Sequence, residues 1–256
     1  MKRLLVLLLL LASPARGAPP DISGFAYQQH PGARLPLGAR FTDAAGRSVK
    51  LGDLLAGRPT ILALVYFHCP NLCGVVREDL FSALANSGLA AQADYTLVAL
   101  SIDPRETSAD AAAAEQAEIA RYPAAGAAQG WHFLTGDAAG IRAVADAVGF
   151  RDEYDAALQQ FIHPAGVVFA TGAGVVSGYL LGVGYTPGEV RAGVLRASAG
   201  GIARAALPIL LICFHYDPTT GRYTLAILRI LKIMAALFAL TLGATLLLTL
   251  RGGRRA

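Results

Sequence analysis

Residues 60–74 read Thr60-Ile61-Leu62-Ala63-Leu64-Val65-Tyr66-Phe67-His68-Cys69-Pro70-Asn71-Leu72-Cys73-Gly74. From Ile61 to Phe67 the run is continuously apolar, partly β-branched, and bounded by Arg58-Pro59 before it and Cys69-Pro70 after it. Such a run suits a strand buried on both faces of a sheet. Val76, Leu80 and Leu84, with Phe81, then recur at helical spacing and predict a helix over 75–84. Two cysteines therefore stand where a buried strand hands over to a helix.

Working outward, the pattern predicts a second buried strand over 95–102, an alanine-rich helix over 109–121 and a short strand over 131–134. A helix over 137–148 follows, with Asp137 as its N-cap. Segments 166–170 and 175–180 pair as a hairpin across Thr171-Gly172-Ala173-Gly174, ahead of a helix over 187–198. Upstream, Asp43-Ala44-Ala45-Gly46 supplies turn chemistry between Phe41-Thr42 and Ser48-Val49-Lys50-Leu51, a short hairpin. Helices interleaved with buried strands and closed by an antiparallel hairpin indicate an α/β sandwich of thioredoxin type with an insertion.

The chain has 256 residues, 54% of them hydrophobic and 16% charged, with a mean hydropathy of +0.47 and a net charge of +4. That excludes a disordered chain, and three cysteines are too few for a disulfide framework. Both the apolar excess and the positive charge collect at the ends. Residues 1–17 have the basic start, apolar run and small-residue end of a secretory signal. Residues 225–250 are an apolar stretch, with Arg229 and Lys232 near its start, long enough for a transmembrane helix. The basic tail 251–256 marks the cytoplasmic side. Eight of the 22 basic residues flank these two segments, so 14 remain against all 18 acids and residues 18–228 carry −4. A nucleic-acid partner is disfavoured. The expected organisation is a signal (1–17), an irregular Pro/Gly-rich arm (18–34), a thioredoxin-like domain (35–200), a juxtamembrane segment (201–224), one C-terminal membrane span and the tail. The main domain would lie in the periplasm, anchored in the inner membrane.

Cys69 and Cys73, four residues apart at a helix N-terminus, lie one turn apart, so their sulfurs can share one ion or oxidise to a disulfide. The helix N-terminus favours thiolate, and two soft ligands suit Cu(I) as well as zinc. A structural disulfide is the plain alternative. His163, in Phe161-Ile162-His163-Pro164-Ala165, is the best placed of the five histidines for a third ligand, on a loop before a strand beside the cysteine-bearing one. By spacing alone it reads more as a hydrogen-bonded structural residue than as a ligand. Asp103, in Ser101-Ile102-Asp103-Pro104, is either an ordinary turn aspartate or an acid near the metal loop. His68 is expected to point away from Cys69. Cys213 and His215 form a Cys-x-His pair before the span, read as a buried thiol or as an auxiliary copper site.

The blocks Val65–Cys73, Ser101-Ile102-Asp103-Pro104-Arg105-Glu106-Thr107, Trp131-His132-Phe133-Leu134-Thr135-Gly136 and His163 resemble, in order and spacing, the Sco/SenC family. The block from Cys213 to Gly221 resembles bacterial members with a C-terminal anchor. Gly74 stands where many members have proline, and Pro164 where many have serine. The resemblance implies a thioredoxin-like domain binding one copper ion per chain through Cys69, Cys73 and His163. It also implies service to the binuclear copper centre of cytochrome c oxidase, with the copper-bearing oxidase subunit and a copper donor protein as partners. The second activity it implies is a thiol-disulfide reductase with Cys69 as nucleophile and Cys73 resolving; His163 is then dispensable.

Overall fold

Strands β3 (Thr60–Val65) and β4 (Thr96–Ser101) are buried at every position and pair in parallel, Thr60 opposite Thr96 through Val65 opposite Ser101. The computed structural model describes residues 27–68, 73–156, 159–205 and 232–243. Around β3 and β4 lie β1 (Arg40–Asp43), β2 (Ser48–Lys50), β5 (Trp131–Thr135), β8 (Gly166–Ala170) and β9 (Val176–Leu181), in the order β2-β1-β5-β4-β3-β8-β9. The strand β5 is parallel to β4; β1, β2, β8 and β9 add antiparallel edges. A separate pair, β6 (Glu153–Asp155) and β7 (Gln160–Ile162), forms its own small ribbon.

Alternation along β3 divides the core into two layers. Ile61, Ala63, Val65 and Phe67 face one side, with Val76, Leu80, Phe81 and Leu84 of α2 (Cys73–Ala85), Ala111 of α3 (Ser108–Arg121) and Val190 and Val194 of α6 (Pro187–Ser198). Leu62, Leu64 and Tyr66 face the other, with Leu51 and Leu55 of α1 (Leu51–Leu55) and Ile141 and Val144 of α5 (Ala138–Ala147). A short helix α4 (Ala127–Gly130) precedes β5. This is the α/β thioredoxin-like arrangement expected from the sequence. Asp137 caps α5 as expected, its Oδ1 accepting from Gly140 N at 2.7 Å.

The structure differs from the sequence expectation in particular places. Leu51, expected in the β2 strand, begins α1, a single turn closed by Ala56 in the left-handed region at φ 46°. The β6–β7 ribbon and α4 are additions, and α2 starts at Cys73. Of the arm over 18–34, the described part is ordered against the sheet. Tyr27 is buried, packs edge-on to Phe150 and Tyr179 at 5.4 and 5.5 Å, and its hydroxyl donates to Gly166 O at 3.5 Å. Gln28 N donates to Gly149 O, and Arg34 bridges Val175.

Two compact units emerge, Ser23–Tyr216 and a second made of Met1–Ile22 with Asp217–Ala256. In the second, residues 232–243 are helical, and Ile233, Met234, Leu237, Phe238, Leu240 and Leu242 are exposed. Among the described residues no helix is long and apolar enough to cross a membrane. The expected signal lies outside the described residues, as do most of the expected span and the tail.

Candidate metal centre

The antiparallel pairing of β3 with β8, Thr60 opposite Ala170 and Leu62 opposite Val168, runs the segment before Gly166 back toward the end of β3. His163 thereby meets Tyr66, the rings 6.0 Å apart and near-perpendicular. Phe150 covers the imidazole at 5.8 Å, and the residue is only 6% exposed. Its Nδ1 lies 3.0 Å from the Pro164 carbonyl. A carbonyl only accepts, so Nδ1 carries the proton and the lone pair is on Nε2. Burial holds the imidazole below its usual range, against the smaller opposing effects of the Pro164 carbonyl and Asp152. A neutral ring with a defined tautomer is the form that ligates a metal.

Cys69 lies outside the described residues, as do Cys213 and His215. Cys73 opens α2, which carries no acid in its first turn. The structure therefore brings His163 to the strand that leads into Cys69 and starts a helix at Cys73. Two thiols and one neutral imidazole are a soft donor set and fit Cu(I).

Asp103 lies in the turn after β4. Its Oδ1 accepts from Arg105 N at 2.9 Å, and both oxygens meet the Arg105 guanidinium, at 2.7 to 3.1 Å. Burial pushes its carboxyl up, but the Arg105 hydrogen bonds and charge together hold it below the ordinary carboxylate range. Arg105 also stacks over Tyr154 of β6 at 4.5 Å to the ring centre, joining this turn to the ribbon that precedes His163.

Glu106 was not singled out by the sequence. It is buried, and its carboxylate accepts from Phe67 N at 2.9 Å, His68 N at 2.8 Å and Ser101 Oγ at 2.5 Å. His68 Nδ1 lies 3.1 Å from the same carboxylate and Nε2 3.4 Å from Asp110. The His68 ring is thus directed toward the start of α3. Arg77 of α2 donates from Nη1 to the Phe67 carbonyl at 3.3 Å, and its Nε is paired by charge with Glu118 at 3.3 Å without hydrogen-bond geometry. An open cleft of about 440 Å³ lies nearby, lined by Arg40, Ser48, Glu106, Thr107 and Asp137. His163 is not among its lining residues. The only sequence signal for Glu106 was its place in the Ser101–Thr107 block.

The SCO1/SenC family profile matches residues 33–196, which hold β3, the cysteine pair and His163. The chain belongs to the SCO1/SenC family. No curated protein matches it significantly. Among solved structures, a protein of Aquifex aeolicus VF5 superposes with a TM-score of 0.58 at 24% identity, over 66% of this chain and 95% of that one. Arabidopsis thaliana ScoI with copper bound superposes at 0.52 and 18% identity, over 66% and 98%. A SCO1/SenC family lipoprotein of Bacillus anthracis str. Ames does so at 0.53 and 18%, over 66% and 97%. At these identities the likeness is one of fold, and it covers nearly the whole of each relative. For this SCO1/SenC chain the part that matches the family, residues 33–196, is built on β3 and β8.

Proposed function

We propose that this protein is a copper chaperone of cytochrome c oxidase assembly, carrying one copper ion per chain on Cys69, Cys73 and His163. The observation that supports it is the buried, neutral His163 against Tyr66, where β3 runs toward Cys69. A cargo ion held by two thiolates and an imidazole leaves by ligand exchange, each donor being replaced in turn by one from the acceptor. The acceptor in this reading is the copper-bearing oxidase subunit, and a separate donor protein loads the site. Family membership and the copper-bound plant relative support the choice of metal.

The same reading puts the main unit in the periplasm, with residues 225–250 crossing the inner membrane and 251–256 in the cytoplasm. The apolar, exposed faces of the helix at 232–243 support an apolar surrounding for that segment. Alkaline extraction of membranes should leave the full chain in the pellet and release one ending at residue 224; release of both refutes the anchor.

The decisive measurement is anaerobic Cu(I) titration of the reduced full chain. Wild type should bind one equivalent, and His163→Ala should weaken binding by more than about tenfold, as loss of a metal-site partner commonly does. A wild-type chain that binds no copper refutes the reading. A thiol-disulfide reductase is the second reading, favoured by the helix that opens at Cys73. There Cys69 attacks the substrate disulfide, and Cys73 displaces the reduced substrate thiol to leave a Cys69–Cys73 disulfide. Full reduction of an oxidised oxidase subunit by His163→Ala would select it.

A further inference from the structure

Helix α6 buries one face and leaves the other open. Val190, Val194 and Ala197 point into the layer that also holds Val65 and Phe67. On the opposite side, at helical spacing, Ala192 and Leu195 are exposed, with the exposed Arg191 and Arg196 to either side of them. After Ser198 the chain turns at Gly200, whose φ of +69° suits a glycine, and Gly201 N donates to Arg196 O at 2.9 Å. It then runs against β9, where Ser177 Oγ donates to Gly201 O at 2.5 Å and Ala203 N donates to Ser177 O at 2.7 Å. Between these two fixed residues Ile202 is left exposed, as is Arg204 beside the second. Two apolar side chains, Leu195 at 51% and Ile202 at 46% exposure, thus stand among three arginines.

The charge here runs against that of the rest of the unit. Residues 187–205 hold three arginines and one acid, Glu189, so they carry +2 where residues 18–228 as a whole carry −4. Glu189 is committed to the start of the helix, accepting from Thr186 N at 2.9 Å and from Thr186 Oγ1 at 2.6 Å. Arg191 donates from Nη1 to the Ser87 carbonyl, and among the described residues none of the three arginines is paired with a carboxylate. Arginines flanking exposed leucine and isoleucine suit an anionic lipid surface, phosphates meeting the guanidinium groups and the apolar side chains entering the acyl boundary. The chain itself favours this occupant. Only residues 206–224 separate the patch from the stretch 225–250, a reach of about 65 Å even at full extension. A bilayer holding that stretch is never far from α6, and contact with it is intramolecular, so a weak surface affinity suffices.

We propose that the outward face of α6 and the turn after it dock on anionic phospholipid headgroups, with Arg191, Arg196 and Arg204 as the charged contacts and Leu195 and Ile202 as the apolar ones. The proposal rests on the reading of residues 225–250 as the membrane anchor. Its consequence is an orientation. α6 packs on the side of the sheet opposite Tyr66 and Phe150, so docking turns the layer that holds the His163 ring away from the lipid.

The test is hydrogen–deuterium exchange of the full chain reconstituted in vesicles of phosphatidylcholine alone or with phosphatidylglycerol added. Peptides within 188–205 should exchange at least about fivefold more slowly when phosphatidylglycerol is present, while peptides of α5, in the opposite layer, stay unchanged. The triple variant Arg191→Gln, Arg196→Gln, Arg204→Gln should lose the difference, and the corresponding triple change to Lys, which keeps the charge, should retain it. Equal wild-type exchange on the two vesicles overturns the proposal and leaves the face to an acidic protein partner. Equal slowing of α5, or a glutamine variant that still responds to phosphatidylglycerol, overturns it as well. Alkaline extraction of the same vesicles judges the anchor separately. A retained chain whose α6 ignores phosphatidylglycerol refutes the docking alone, whereas a released chain refutes the anchor and the docking with it.

Discussion

Asp103 and Glu106 are three residues apart and direct their charge to different ends. Asp103 turns to its own loop, where Arg105 takes both oxygens. Because that pairing holds its carboxyl below the ordinary range in the folded chain, the unfolded chain binds the proton more readily. The stability Asp103 contributes is present above the unfolded value, near pH 4, and is lost as the pH falls through its depressed folded value. Asp103→Asn should therefore lower Tm at pH 7, with the deficit shrinking as the pH falls below about 4; thermal melts across that range check it. Glu106 turns instead to a strand end far away in sequence. Its role was not legible in the sequence because an acid in a polar turn reads as solvated, and only the fold brings Phe67 and His68 to it. The His163 loop was legible, since one lone histidine stood just before a strand that had to lie beside β3. The spacing also singled out Cys69 and Cys73; Cys69 lies outside the described residues, and the ligation of copper by the pair rests on the titration.

At the scale of elements, the strands and helices that carry the site were plain wherever burial wrote a long pattern. The apolar runs of β3 and β4 and the spacing of Val76, Leu80, Phe81 and Leu84 needed no tertiary knowledge. Phe81 is the centre of the α2 contact, 4.7 Å from Trp131 and 5.8 Å from Phe133, and fully buried. Phe81→Ala should cost about 3–5 kcal/mol in chemical denaturation, from lost transfer energy and the cavity left behind. At the start of α3, Thr107 accepts from Asp110 N while Asp110 accepts from Thr107 N, a reciprocal cap beside the His68 ring. Thr107→Ala should cost about 1 kcal/mol by the same measurement. The elements that the sequence did not announce are α1, α4 and the β6–β7 ribbon. Each is three to five residues long, too short for a periodicity to show, and Glu153-Tyr154-Asp155 offers a single hydrophobic residue. Their form is set by neighbours, as Tyr154 under Arg105 illustrates.

The whole unit closes on the stretch that the sequence set aside as an irregular arm. Pro and Gly there concealed Tyr27, whose burial depends on three partners widely separated along the chain, Phe150, Gly166 and Tyr179. Gly149 allows the close approach. It sits at φ +65°, and a Cβ on it would fall 1.7 Å from the Gln28 carbonyl. Gly149→Ala should push the arm off the sheet and lower Tm, with faster proteolytic cleavage before residue 35 as the local sign; an uncut arm would contradict this. Tyr27 is also among the first residues of this unit to leave the ribosome, while the Gly166 carbonyl its hydroxyl reaches is 139 positions later. Closing so long a loop early carries an entropic cost with no partner to offset it. The arm must then wait, and the first segment made is the last to be stitched in. Until β8 and β9 have formed, Tyr27 lacks both Gly166 and Tyr179, so its packing on Phe150, the ring beside His163, is completed only late in folding.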